Sequence, residues 1–272
     1  MLEGGARRDH DGRMLAPDPD RARLFGEEAE RYDQTRPGYP GELIDEIVGA
    51  SPQRLSVLDV GCGTGIASRL MAARGAHVLG VELNAPMAAV AERSGIRADV
   101  ASFESWDPAG RIFDRVTSAQ AWHWIDSVTG PAKAASVLRR HGRLSVFWSV
   151  GRHPDQLGLD LENVYRRAPL RAPLRFGYGA NKRTDPEDDY SPITDAISRG
   201  GEFGPPEVKR FPWSRTYSTD HWLSQLRTHS DHAALPANER ASLFADIEDA
   251  INRFGGSFTM SYTTILFSAT RR

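Results

Sequence analysis

The sequence predicts an α/β fold, a doubly wound parallel sheet, on three observations. From Leu55 onward, short apolar runs rich in β-branched residues alternate with segments whose apolar residues recur at helical spacing. Glycine, proline and asparagine punctuate these runs where turn and cap chemistry needs them. The 272 residues are 40% apolar, enough to bury one core with a cap on it. Strand and helix repeated at this spacing give parallel strands covered by helices on both faces.

LSVLDV, ending at Val60, is the first strand. IASRLMAARG places Ile66, Leu70 and Met71 on one helical face and closes with Gly75, and AHVLGVE is the second strand. Asn84 caps the next helix, Pro86 falls in its first turn where a missing N–H costs nothing, and Gly95 ends it. IRADV is a third strand, DPAGR a turn and IFDRVTS a fourth strand. GPAKAASVLRRHG is predicted helical, opened by Pro131 and closed by Gly142, before the fifth strand RLSVFWSV. Residues 151–205 lose this regularity and read as a cap insertion between strands 5 and 6, with two weak helical patterns, QLGLDLENVYRR and PITDAISR. PEVKRFPW is an edge strand, because Pro212 is tolerated at an edge and not in a sheet centre. STDHWLSQLRTHS and PANERASLFADIEDAINRFGG are amphipathic helices, and SFTMSYTTILFSAT alternates as a closing strand.

The formal charge of −2 gives no electrostatic case for nucleic acid or an anionic membrane. One cysteine, Cys62, excludes an internal disulfide framework and fits a reducing compartment. No apolar run is long enough to span a bilayer and the start has no signal-peptide core, so a cytoplasmic location is expected. Residues 1–23 are polar and read as a disordered tail, with Met14 as an alternative initiator.

The stretch VLDVGCGTG carries the chemistry. A dinucleotide fingerprint counted from Gly61 needs Gly or Ala where Ile66 stands, and counted from Gly63 needs one where Ser68 stands; this disfavours a nicotinamide dehydrogenase. No Lys-Ser/Thr pair follows Gly65, so a P-loop is also disfavoured. An acid, Asp59, stands beside the turn instead, where it repels phosphate and attracts an ammonium group. A second acid, Glu82, follows Gly61 by 21 positions, the distance at which a carboxylate accepts from ribose hydroxyls in doubly wound folds. A ligand with a ribose, a cationic end and no phosphate satisfies both acids. S-adenosyl-L-methionine is such a ligand.

VLDVGCGTG, GVELNAPMAAVA, ADVASFESW and FDRVTSAQAWHWID, in this order, resemble the successive motifs of class I S-adenosylmethionine-dependent methyltransferases of the type 11 group. The resemblance covers residues 24–150; YDQTRPGYP is similar to that group's N-terminal arm, and QAWHW to relatives acting on small carboxylic acids such as trans-aconitate and juvenile hormone acid. It implies a Rossmann-like seven-stranded sheet whose last strand runs antiparallel, with an arm over 24–50, a cofactor-binding core over 51–150, the cap over 151–205, and residues 206–272 completing the sheet. The implied activity is methylation of a small molecule on a carboxylate or hydroxyl oxygen, by a monomer or homodimer. The competing readings are a non-catalytic adenosyl-binding adaptor or sensor and a nucleic-acid or protein methyltransferase. Against the last stand the charge balance and the lack of an Asn/Asp-Pro-Pro-aromatic motif.

On this reading Gly61, Gly63 and Gly65 let the backbone approach the cofactor; Asp59 orders the loop and meets the methionyl ammonium, with helix capping as its alternative. Glu82 takes the ribose and Leu83 packs on the adenine, against ordinary core packing for Leu83. Asp99 resembles the acid that accepts from the adenine amino group, beside Val100. Ser118, Ala119 and Gln120 leave the fourth strand near the reacting methyl. Trp122, His123 and Trp124 line the acceptor pocket with Tyr39, and His123 is the candidate general base; packing is the alternative for each. Tyr32 and Arg36 on the arm face the cofactor, Arg36 toward a carboxylate or else toward solvent. Cys62 reads as filler. His229 and His232 lack further ligands at metal spacing and read as a helix-end cluster, so no metal is expected. The basic run Arg166–Arg183 reads as a solvated loop or as a lid for an anionic acceptor through Arg171 and Arg175.

Overall fold

The computed structural model describes residues 29–168 and 190–272. The tail, the start of the arm, and Arg171 and Arg175 lie outside them. Seven strands form one sheet: β1 Ser56–Val60, β2 His77–Glu82, β3 Arg97–Val100, β4 Phe113–Ala119, β5 Leu138–Arg152, β6 Glu207–Ser218 and β7 Ser257–Thr270. Their order is β3-β2-β1-β4-β5-β7-β6. The first five pair in parallel, and β7 runs antiparallel between β5 and β6. The last strand is therefore the antiparallel one, as the resemblance implied.

Strands buried on both faces explain the near-continuous apolar runs. On one face, Val57 and Phe147 pack with Leu43, Ile44 and Ile47 of α2 (Gly41–Val48) and Met71 of α3 (Ile66–Ala72). On the other, Leu58, Val60 and Val116 pack with Ala134 and Val137 of α5 (Thr129–Val137). Each large apolar side chain so buried contributes roughly 1.5–3 kcal/mol. α1 (Ala29–Thr35) opens the described chain, and α4 (Ala85–Arg93) joins β2 to β3, with Asn84 Oδ1 accepting from the Met87 N–H as its cap.

The predicted helix up to Gly142 ends earlier. Leu138 is buried and pairs with Phe113, and Arg139 bonds the Asp114 carboxylate, so β5 begins there through an irregular start that carries His141 at φ 63°. The β5–β6 connection holds α6 (Asp155–Arg167) and α7 (Ser191–Ser198) in different layers. Leu157 and Leu161 of α6 join a C-terminal cluster with Tyr217, Trp222 of α8 (Thr219–Arg227), Ile247 of α10 (Ala237–Arg253) and Phe258. Ile197 of α7 instead packs on the main sheet with Phe267. A short α9 (Ser230–Ala233) links α8 to α10. Pro212 lies in β6, at the sheet edge.

Candidate active site

The order of strands reverses between β1 and β4, and in open α/β sheets ligands bind at the carboxyl ends of strands at such a point. The turn leaving β1 carries Gly61, Gly63 and Gly65 at φ 66°, 57° and 84°, a region costly for other residues. A Cβ on Gly61 would stand 2.6 Å from the Ala121 Cβ, so this turn lies directly against the chain leaving β4. Glu82 holds it in shape from β2. Its Oε2 accepts from the Gly63 N–H at 2.9 Å and its Oε1 from the Asn84 N–H at 2.8 Å. Burial raises the Glu82 pKa, opposed by these backbone donors.

Asp59 is fully buried behind the turn. Its Oδ2 accepts from Ser68 Oγ at 2.5 Å and its Oδ1 from Thr117 Oγ1 at 3.0 Å. Burial pushes its pKa up to about 6 against the pull of both hydroxyls. Asp59 thus ties β1 to α3 and β4, but presents no exposed oxygen to an ammonium and does not cap α3, whose N-cap is Gly65 with no side-chain cap bond. Cys62 fills space against Gly80, where a Cβ would come 2.4 Å from its Sγ, and burial holds its thiol protonated.

Beside Glu82, two apolar side chains stand open to solvent: Leu83 is 48% and Val100 56% exposed. Val100 sits opposite Glu82 in the β2–β3 register, so the acid and the apolar surfaces share one strand edge. Leu83 is therefore not core. Asp99 is already engaged at one oxygen: its Oδ2 accepts from Trp106 Nε1 and from Arg111 Nη2, each at 2.9 Å, and against the raising effect of burial these bonds lower its pKa. Both donors use Oδ2, which leaves Oδ1 for a further donor.

At the exit of β4, Ser118 is buried and Gln120 is held at φ 59° with its N–H on the Phe147 carbonyl. A non-glycine residue in that region marks backbone strain of the kind that collects at functional sites. Ala119 packs toward α2, α3 and Phe147. Two buried hydroxyls, Thr64 Oγ1 in the turn and Ser118 Oγ, have no hydrogen-bond partner among the described residues. Trp122 is buried in the core beside Phe103, which corrects its placement in the pocket. His123 Nδ1 accepts from Trp148 Nε1 at 3.2 Å. With Nδ1 used as acceptor, the neutral ring carries its proton on Nε2, so His123 is arranged as a donor there rather than as a base. Trp124 is half-buried against the His123 ring.

The arm packs over both the core and the C-terminal layer. Tyr32 joins Met87 and Val90 of α4, and Tyr39, half-buried, meets the Phe147 ring edge-on at 5.0 Å, with burial raising its pKa. Arg36 is not simply solvated: its Nε and Nη2 donate to Thr228 Oγ1 and carbonyl at 3.1 and 3.2 Å. His232 is buried with Nδ1 at 2.9 Å from Asp231 Oδ1 and Nε2 at 2.9 Å from Tyr165 OH, a packed cluster tying α9 to α6. Burial lowers the His229 pKa well below its usual value. Among the described residues no group of three His, Cys, Asp or Glu side chains could hold a metal.

Sequence reasoning missed Ser68 and Thr117, which hold Asp59, and Trp148, which sets the His123 tautomer. Only Ser68, three positions after Gly65, carried a local signal. An adenosyl ligand suits the groups around the turn: the Glu82 carboxylate, glycine backbone and apolar surface. Arg69, the cation bonded there, donates to the Thr64 carbonyl and pairs with Asp33.

Residues 32–147 match a family model described as a methyltransferase domain. An uncharacterized methyltransferase of Mycobacterium bovis is 36% identical over 128 residues, 46% of this chain and 51% of that protein. A ubiquinone biosynthesis O-methyltransferase of Pseudomonas savastanoi pv. phaseolicola is 31% identical over 118 residues, 41% of this chain and 50% of that protein. The match thus spans about half of each relative's length. A candidate type II methyltransferase of Anaeromyxobacter dehalogenans has the same fold, with a TM-score of 0.60 at 22% identity over 86% of this chain and 97% of that one. A Haemonchus contortus phosphoethanolamine N-methyltransferase, solved with phosphomonomethylethanolamine and S-adenosylhomocysteine, aligns with a TM-score of 0.53 at 17% identity over 93% of this chain and 58% of that one. No described helix is long and apolar enough to cross a membrane.

Proposed function

We propose that this chain, whose residues 32–147 are a class I S-adenosylmethionine-dependent methyltransferase domain, methylates a small molecule on a carboxylate or hydroxyl oxygen. The observation that carries the reading is the turn itself: Glu82 bonded to the Gly63 N–H, with Leu83 and Val100 open beside it. When bound, the cofactor supplies a methyl group already activated by a sulfonium. The residues of the chain then have to hold, align and shield. Glu82 has lone pairs left for ribose hydroxyls, and Leu83 and Val100 offer apolar faces to the base. The glycines keep the floor free of side chains, and Asp59 acts through Ser68 and Thr117 to keep the turn in shape. Gln120 and the orphan hydroxyl of Ser118 border the reacting end. Alignment of this kind supplies a large part of the rate in a displacement reaction.

The His123 tautomer favours an acceptor that is already ionised, because a carboxylate needs no general base. Incubation with methyl-labelled S-adenosylmethionine and a panel of small carboxylic acids and phenols tests this. Label is expected in an ester of an acid. Bound cofactor with no label in any acceptor favours the adaptor reading instead.

A further inference from the structure

Two arginines meet where the arm touches β6. Arg215 Nη1 donates to the Arg36 carbonyl at 3.1 Å, and each guanidinium lies over a tyrosine ring, Arg36 at 4.6 Å from Tyr32 and Arg215 at 5.1 Å from Tyr217. Both are half-buried, and neither has a carboxylate partner among the described residues. The nearest acid in sequence, Asp33, is taken by Arg69. Both charges act on the same two hydroxyls, those of Tyr217 and Tyr262, so the two side chains share one neighbourhood.

The polar contacts are also short of acceptors. His221 Nε2 lies 3.1 Å from Arg215 Nη2 and 3.1 Å from the Thr35 carbonyl. One ring nitrogen cannot accept from the first and donate to the second. In either tautomer one of these contacts fails. Burial raises the pKa of Tyr39, Tyr217 and Tyr262 and lowers that of His229; the Arg36 charge opposes the first three shifts and adds to the last, so it reaches groups on the arm, β6, β7 and the end of α8.

We infer that Arg215 and Arg36 form an anchoring site for an oxyanion, a carboxylate or phosphate, of the methyl acceptor. This rests on the methyltransferase reading for what the anchored molecule does, and on the donor geometry alone for the anion. The acceptor is assigned as its source, rather than the methionyl carboxylate, by topology. β6 is the outer strand beyond β4, β5 and β7, whereas the glycine turn follows β1. A guanidinium fork on the reacting oxygen would draw off its electron density. The anchored group is therefore distinct from the nucleophile, and the acceptor carries a second functional group, such as another carboxylate.

Calorimetric titration of the full chain with inorganic phosphate, acetate and benzoate tests the site, with and without saturating S-adenosylhomocysteine. At least one anion is expected to bind saturably both times, at least tenfold more weakly in Arg215→Gln and to an intermediate degree in Arg215→Lys, which keeps the charge and loses the fork. Melting curves identify a variant that fails to fold, and the lysine variant then decides. No saturable binding of any anion, or unchanged affinity in Arg215→Lys and Arg215→Gln, overturns the site. Competition by S-adenosylhomocysteine but not by methylthioadenosine reassigns the anion to the methionyl carboxylate and overturns the acceptor assignment. Failure of the wild type to bind S-adenosylhomocysteine at all strikes the methyltransferase reading, while the anion result stands by itself.

Discussion

His153 and Asp59 are buried groups whose titrations oppose each other. Burial depresses the His153 pKa to about 4, and its Nε2 has no partner among the described residues. The unfolded chain binds this proton from about pH 6.5 downward, so the stability linked to His153 is complete above that pH and lost toward pH 4. Asp59, raised to about 6, behaves oppositely: its contribution is present below its unfolded value near 4 and lost as pH rises through 6. Each swing is worth about 3 kcal/mol. The intact protein should therefore show a flat acid profile from this pair, and a variant is needed to expose either one. His153 packs against Trp222 and Phe258, so His153→Phe fits its surroundings. Chemical denaturation at pH 7 and pH 4.5 should show the wild type losing a few kcal/mol relative to His153→Phe at the lower pH. Equal differences at both pH values would mean that His153 is not a buried neutral imidazole.

At the scale of elements, caps and turns were the legible part. Asn84 is the N-cap of α4, as its position before Pro86 predicts, and Asn84→Ala should cost about 1 kcal/mol in a denaturant titration. A loss within error would show that the Met87 N–H finds another acceptor. The glycine turn was readable because backbone at positive φ restricts residue choice locally. The edge position of β6 was readable because Pro212 cannot donate within a central ladder. The early start of β5 was not: Leu138 suits a helix equally well, and only its pairing with Phe113 and the Arg139–Asp114 contact make it a strand. The same holds for Asp99, whose partners Trp106 and Arg111 depend on the path of a loop, and for Arg36, whose partner Thr228 lies 192 positions away. Side-chain partners across long sequence separations have no local signature. The site's backbone was thus visible in the sequence and its donor pairing was not.

The whole molecule joins two packed units on one sheet. β1 to β4 carry the turn and the apolar edge beside Glu82. The long strands β5 to β7 carry the C-terminal layer of α6, α8 and α10. The arm bridges them, Tyr32 on α4 and Arg36 on Thr228. We propose that the glycine turn and Glu82 hold an adenosyl cofactor without phosphate. Calorimetric titration of the wild type and Glu82→Ala with S-adenosylmethionine, using NAD as the competing ligand, tests it most directly. Saturable binding of S-adenosylmethionine, weakened at least tenfold in a folded Glu82→Ala, or about 1.4 kcal/mol, with no binding of NAD, is the predicted result. Binding of NAD in preference, or S-adenosylmethionine affinity indifferent to Glu82, would contradict it.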